Sequence, residues 1–297
     1  MARLDAALPA ASHRRARRLS WLALLIVPSL LFLAVFFLVP YLNMVRMSFL
    51  VKPPDGPYLQ QFTLANYGKA VLDPFHWRVL LQTFWLAALT TVLTLLLGYP
   101  LAYHLTYAPQ RHKRWLLMLI ISPLLVSVVV RGFAWIILLG RVGMVNQIVQ
   151  WATDRELVLI GTPTGVLIGL VHVFIPFMAL AIAGALQNIS TDVVQAARSL
   201  GASPWRAFWR VVWPLSLPGV QAGGLLVFVL AVSSYVIPIL LGASNVLVMP
   251  MLIVQTLLDT FNWPLGSALS MVFFGLTAAT VAVFLRMMQR AMRWTLS

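Results

Sequence analysis

Groups able to cap, hydrogen-bond and pair are densest in residues 192–219, DVVQAARSLGASPWRAFWRVVWPLSLPG. Their types suit docking, not bond-breaking. Ser190 or Thr191 can N-cap a short helix, with Asp192 favourably near its positive end. Val193, Ala196, Ala197 and Leu200 follow at helical spacing, and Gly201 closes the helix as a residue that tolerates positive φ. Ser203 and Pro204 read as the N-cap and first position of a second helix. Pro214 and Pro218 are expected to break that helix and redirect the chain, leaving two short helices at an angle. Small side chains at Ala196, Ala197 and Gly201 admit another protein at close range, and a closely fitted short helix transmits rigid-body motion. Trp205, Phe208 and Trp209 suit a membrane interface. An interfacial hairpin that only joins two spans would be capped in the same way.

The other reactive side chains are sparse. Ser233, Ser234 and Tyr235 lie in an apolar run, and Tyr99, Tyr103 and His172 lie in others. A polar group facing lipid is costly, so these are candidates for a solute pathway, or for helix–helix hydrogen bonds. Asp259, beside Phe261 and Trp263, could join charge attraction to cation–π contact, or could simply be a solvated acid that caps the next helix. Arg131 near the same face opposes a cation unless it is paired. All seven acids fall outside the apolar runs or at their ends. The chain contains no G-x-x-x-x-G-K-[ST], H-E-x-x-H or G-x-S-x-G, and no Cys. ATP hydrolysis, intramembrane catalysis and thiolate metal sites are therefore not expected in this chain.

Membrane helices must position these groups. Of 297 residues, 61% are hydrophobic and 9% charged, and the mean hydropathy is +0.91. Six runs, at about 21–45, 78–103, 115–139, 164–187, 220–241 and 265–288, reach the ~20 residues a helix needs to cross ~30 Å of hydrocarbon. The predicted fold is all-α, a polytopic bundle of six transmembrane helices with the 188–219 loop between the fourth and fifth. Gly98 and Pro100 are expected to kink the second span, and residues 46–77, punctuated by KPPDGP, to form a loop on the outer side. The segment after the third run is expected to lie along the outer interface.

A net charge of +14 can signal nucleic acid, but the basic residues sit at span ends, which favours lipid headgroups and no nucleic acid. Fourteen of the 21 Lys and Arg fall on one side under this topology. The positive-inside rule then places both termini, the turn near 104–114 and the 188–219 loop in the cytoplasm. The organisation is a basic tail over 1–20, one transmembrane domain over 21–288 and a cytoplasmic tail over 289–297. The first run is too long for a signal core and has no A-x-A site behind it, so it reads as a retained helix.

The polar loop resembles the cytoplasmic EAA loop of ABC-importer permeases, whose pattern is E-A-A, three residues, G, nine residues, I-x-L-P, three residues, P. Here Gln195-Ala196-Ala197 is followed at the same spacing by Gly201, Val211-Val212-Trp213-Pro214 and Pro218. Gln195 stands where the family has Glu, and Trp213 where it has Leu. Gln keeps hydrogen-bonding capacity but loses a charge that could pair with an Arg, which puts a charge pair there in doubt. FTLANYGKAVLDP, RGFAWIILLGRVGMVNQIVQ and NWPLGSAL look like the spermidine/putrescine branch of the type I importer permeases, although permeases for iron(III) or sulfate carry similar pieces. The resemblance covers most of the chain.

That resemblance implies a permease subunit of the bacterial inner membrane, working by alternating access. Two cytosolic ABC ATPases would bind ATP and Mg, this chain holding no cofactor or metal. A second permease would complete the pore, and an extracytoplasmic binding protein would deliver a solute such as spermidine or putrescine. The coupling residues carried over are Asp192, Gln195, Ala196, Ala197, Arg198, Gly201, Pro204, Pro214 and Pro218. Ser233, Ser234, Tyr235, Asp259, Trp263, Trp135, His172 and Tyr99 are the pathway candidates, and Asn146 joins Trp135 at the outer gate. The rival is an ion-coupled transporter or channel that works without an ATPase. It would need intramembrane carboxylates or a filter.

Overall fold

Lipid offers backbone amides no partner except one another, so apolar runs close into helices. A computed structural model of the protein describes residues 26–53, 56 and 58–296, with side chains to 290. The basic tail, residues 21–25 of the first predicted span and the side chains of the last seven residues lie outside this range. Six helices among the described residues are long and apolar enough to cross a membrane.

In chain order, α1 (Ile26–Ser48) leads into a short antiparallel pair, β1 (Leu50–Val51) and β2 (Leu59–Phe62). Next come α2 (Ala65–Leu72), α3 (Pro74–Tyr107), α4 (Gln110–Leu125), α5 (Val128–Leu139) and α6 (Met144–Thr153). They are followed by α7 (Pro163–Gln187), α8 (Thr191–Ser199) and α9 (Pro204–Val232). The chain ends in α10 (Val236–Leu241), α11 (Met249–Asp259) and α12 (Trp263–Leu296).

α3, α7 and α9 pack against one another and make the core, which includes Ala87, Ala102, Met178, Ile182, Leu186 and Val227. Small residues set their approach. A Cβ on Gly98 of α3 would stand 3.1 Å from Met178 Cγ, and one on Gly219 of α9 would overlap Ala185 and stand 3.0 Å from the Ala181 carbonyl oxygen. α1 and α2 lie on α12, and the apolar side chains of α1 stay exposed, as a lipid-facing helix requires. α10 packs on α5.

Five expectations need correction. Residues 46–77 are not simply a loop, because they form the β1–β2 pair and α2. Asn66 Nδ2 donates to the carbonyls of Ser48 (2.9 Å) and Leu50 (2.8 Å), and the Ser48 and Tyr67 hydroxyls bond at 2.8 Å. The KPPDGP punctuation falls between the two strands.

The run at 115–139 is not one helix. Pro123 sits in the last turn of α4, and Ser127 N-caps α5 by accepting from Val129 N at 3.3 Å.

Pro214 and Pro218 do not break the chain, and α9 runs continuously from Pro204. A π turn over Phe208–Val212 sends the Trp213 N–H to the Phe208 carbonyl, so Pro214 falls in the first turn of the α-segment that follows, where its missing N–H costs nothing. Pro218 is carried inside that segment, next to buried Ser216 and Gly219. Gly98 and Pro100 lie inside one continuous helix, α3.

The fifth run, in contrast, is interrupted. α9 ends at Val232, and Ser233, Ser234 and Tyr235 form the break before α10.

Asp259, expected as a solvated acid that could cap the sixth span, instead ends α11, whose Met249 N–H is accepted by Thr83 Oγ1 of α3 at 2.9 Å. The cap of α12 is Asn262, whose Oδ1 accepts from Leu265 N at 3.3 Å, and not Asp259.

Candidate functional site

The connection between α7 and α9 is built from local caps. Ser190 Oγ accepts from Asp192 N (3.2 Å) and starts α8. At its other end Gly201 has φ +87, its N–H bonds the Arg198 carbonyl (3.0 Å), and the Ala202 N–H bonds the Ala197 carbonyl (3.1 Å). These two bonds are the paired 5→2 and 6→1 bonds of a Schellman cap, which needs a residue without a left-handed penalty. Ser203 Oγ then accepts from Arg206 N (3.3 Å), and Pro204 opens α9.

α8 has no buried residue. Ile189 and Val194 touch the main core, whereas Asp192, Gln195, Ala196 and Arg198 are exposed, Ala197 is half-buried and Leu200 is 90% exposed. This capped helix therefore presents an exposed leucine and small residues on a surface that the rest of the chain leaves uncovered.

The base of α9 is tied to the core by aromatic packing. Tyr99 of α3 is only 7% exposed, and its hydroxyl bonds Ser216 Oγ at 2.9 Å. Its ring packs on Trp213 (centroids 5.0 Å) and edge-on to Phe208 (5.7 Å), and Phe208 also meets Tyr103. Tyr99 thus lies between α3 and α9 and not on an open face. Movement of the α8 segment would reach the bundle through this joint, because α8 packs on the π turn that contains Phe208.

At the opposite end, Trp135 of α5 and His172 of α7 come together. The indole Nε1 donates to His172 Nδ1 at 3.1 Å, with rings 5.5 Å apart and near-perpendicular. An indole nitrogen can only donate, so Nδ1 is the acceptor. Arg131, one turn before Trp135, has Nε and Nη1 sealed from solvent without an acceptor.

Asn146 is fully buried. It donates to the Gly140 carbonyl (2.9 Å) and accepts from Leu157 N (2.8 Å), which pins the α5–α6 corner to the segment behind α6. Ser233 Oγ bonds back to the Val229 carbonyl at 2.9 Å, whereas Ser234 and Tyr235 are half-buried at the α9–α10 break. Asp259 ends α11 as an exposed residue, and Trp263 opens α12. Between them Lys52 Nζ donates to the carbonyls of Thr260 and Phe261, both at 2.8 Å.

Lys52, Ser216 and Thr83 carry no mark in the sequence that points to these roles. Ser216 at least stands out as a hydroxyl within the apolar WPLSLPG. Among the described residues no three of His, Asp and Glu gather closely enough to hold a metal ion.

Comparisons with known proteins agree with this architecture. Residues 94–293 match the model of the family described as binding-protein-dependent transport system inner membrane component. The chain is 33% identical over 240 residues to the spermidine/putrescine transport system permease protein PotB of Escherichia coli K12, covering 80% of this chain and 87% of that protein. It is 30% identical over 256 residues to the PotB of Haemophilus influenzae, covering 86% and 89%. A molybdenum transport system permease protein of Mycobacterium bovis is 34% identical over 142 residues, covering 48% and 53%. Among solved structures, a bacterial ABC transporter involved in alginate import aligns over 94% of this chain and 99% of its own, with TM-score 0.77 at 15% identity. The MetNI methionine ABC transporter aligns over 75% and 98%, with TM-score 0.56 at 17% identity.

Proposed function

This chain belongs to the binding-protein-dependent transport system inner membrane component family, and from that premise we propose that α8 is the contact through which cytosolic ATPases drive it. The protein is an ABC-importer permease subunit with several spans in the inner membrane. The observation that carries the reading is α8 itself. It is capped at both ends, held to the bundle by Ile189 and Val194, and otherwise exposed. Asp192, Gln195, Ala196, Ala197, Arg198, Gly201 and Pro204 present or shape that contact, and Pro214 and Pro218 carry it into the core through α9.

Two ATPase subunits bind ATP and Mg, and this chain contributes no catalytic group and no cofactor. A second permease subunit, different or identical, completes the pore. An extracytoplasmic binding protein loads the solute, and both termini lie in the cytoplasm. The solute is a polyamine such as spermidine or putrescine, a reading supported by relatives of that name that align over four fifths of the chain. It passes by alternating access along Trp135, His172, Ser233, Ser234, Tyr235, Asp259 and Trp263.

Reconstitution in liposomes tests this. The complete assembly should accumulate labelled spermidine only with ATP inside, and omission of the ATPase should abolish uptake. Uptake by this chain without the ATPase would overturn the reading in favour of a self-sufficient channel or ion-coupled transporter.

A further inference from the structure

α4 is basic where it begins and apolar along the rest of its length. It starts after only Ala108 and Pro109 have followed the spanning helix α3, and its stretch WLLMLIISPLL, residues 115–125, holds no charged group. Ile120 is buried in the main core, and Leu116 and Leu117 pack against that core beside it. The other face of α4 is uncovered. Arg111, Arg114, Trp115, Met118, Ser122 and Leu125 share it at helical spacing. All six are exposed, Trp115 at 71%, Met118 at 61% and Leu125 at 84%. Arg111, Arg114, Trp115 and Met118, with Gln110, line an open cleft of about 520 Å³.

The chain does not offset these two guanidinium groups with acids of its own nearby. α4 packs on α3 and α7, and neither helix contains an Asp or Glu. Residues 74–153 contain none at all. The two tails are mismatched to the cleft by charge, since residues 1–20 hold five Arg against one Asp, and residues 291–297 hold one Arg and no Asp or Glu.

The order of groups along the face selects the occupant. Two cations come first, an indole of the kind that settles at a membrane interface comes next, and an apolar strip follows. From Trp115 to Leu125 that strip runs about 15 Å, the depth of one leaflet of a hydrocarbon layer ~30 Å thick. A free phosphate would use only the charged end. An acidic patch on a cytosolic protein would leave the apolar strip bare. An anionic phospholipid joins both parts in one molecule.

We propose that Arg111 and Arg114 hold the phosphate of one anionic phospholipid, whose acyl chain lies along Trp115, Met118 and Leu125. A guanidinium presents paired N–H donors that match phosphate oxygens, so two of them make a headgroup site and not merely a charged surface. The bound lipid fixes the α3–α4 turn at the membrane boundary. The inference rests on the membrane-spanning bundle and is independent of the ATPase and solute readings above.

The test is native mass spectrometry of the full chain released from nanodiscs of phosphatidylcholine doped with phosphatidylglycerol. The wild-type chain should retain one phosphatidylglycerol in preference to phosphatidylcholine. Arg111→Gln with Arg114→Gln should weaken that retention about thirtyfold, which is two charges at the usual attraction per basic residue. Arg111→Lys with Arg114→Lys should keep most of it, because the charge survives. Arg286→Gln with Arg290→Gln removes the same charge from exposed positions near the end of α12 and should change nothing. Trp115→Ala should lower retention severalfold with both arginines in place. No preference for phosphatidylglycerol in the wild-type chain overturns the inference, and so does unaltered retention in the Arg111 and Arg114 glutamine pair. Equal losses in the two glutamine pairs would reduce the effect to diffuse attraction by the leaflet, and the site falls. Release of the lipid by added inorganic phosphate would make the ligand a free anion and overturn it as well. Loss of ATPase co-purification in the Arg111 and Arg114 pair, with phosphatidylglycerol still retained, would assign the two arginines to a protein contact instead.

Discussion

Substitution of Gly201 separates two reasons for a glycine at the end of α8. Its φ is +87, and a Cβ built there meets nothing within 4 Å of this chain. Within the isolated subunit the cost of Gly201→Ala is therefore purely the left-handed backbone, about 1–2 kcal/mol. That penalty opens the cap roughly 5–30-fold more often. The bonds at risk are Gly201 N to the Arg198 carbonyl and Ala202 N to the Ala197 carbonyl. Hydrogen exchange of those two amides, measured on the subunit in nanodiscs without partners, should accelerate by about that 5–30-fold in Gly201→Ala. Gly201→Asn should fall between, because Asn tolerates the left-handed region better than Ala.

With the ATPase restored, uptake reads the second reason. If backbone strain dominates, uptake should track exchange and Gly201→Asn should outperform Gly201→Ala. If the docked ATPase leaves no room for a side chain, the smaller Ala should outperform Asn, and Gly201→Asp should abolish uptake while membrane insertion is unaffected. Unchanged exchange in Gly201→Ala would refute the capping argument itself.

Other substitutions probe the bundle and the α11–α12 corner. Gly219→Ala forces a methyl against Ala185 and the Ala181 carbonyl oxygen between α7 and α9, so thermal unfolding in detergent should report a loss of about 1–3 kcal/mol. Asn146→Ala strands the Gly140 carbonyl and the Leu157 N–H, and should cost roughly 1 kcal/mol per group while speeding exchange of the Leu157 amide. Asp259→Asn removes an exposed carboxylate and should weaken spermidine uptake at low concentration without changing assembly, and uptake identical across a concentration series would remove Asp259 from the pathway.

What was legible in the sequence is what acts over short distances. Apolar runs of spanning length announce themselves, and Ser190, Gly201 and Ser203 act on amides within three residues of their own positions. The bonds that fix the bundle act across the chain. Trp135 and His172 are 37 residues apart, Tyr99 and Ser216 117, Thr83 and Met249 166, and Lys52 and Phe261 209. No local pattern marks such pairs. The proline reading erred for a related reason. Pro214 was weighed as a residue in a helix interior, but the π turn over Phe208–Val212 shifts the ladder so that it opens a new α-segment instead.

The same distinction bears on how this subunit works. Tyr99 and Thr83 find partners inside the chain, so their polarity is spent on holding helices in place. Arg131 finds no acceptor, the Ser234–Tyr235 break is half-open, and α8 is bare. These three are spread from α5 to the connection between α7 and α9. A tightly packed α3–α7–α9 core, reached from α8 through the π turn that contains Phe208, is suited to carry motion of that exposed helix into the bundle.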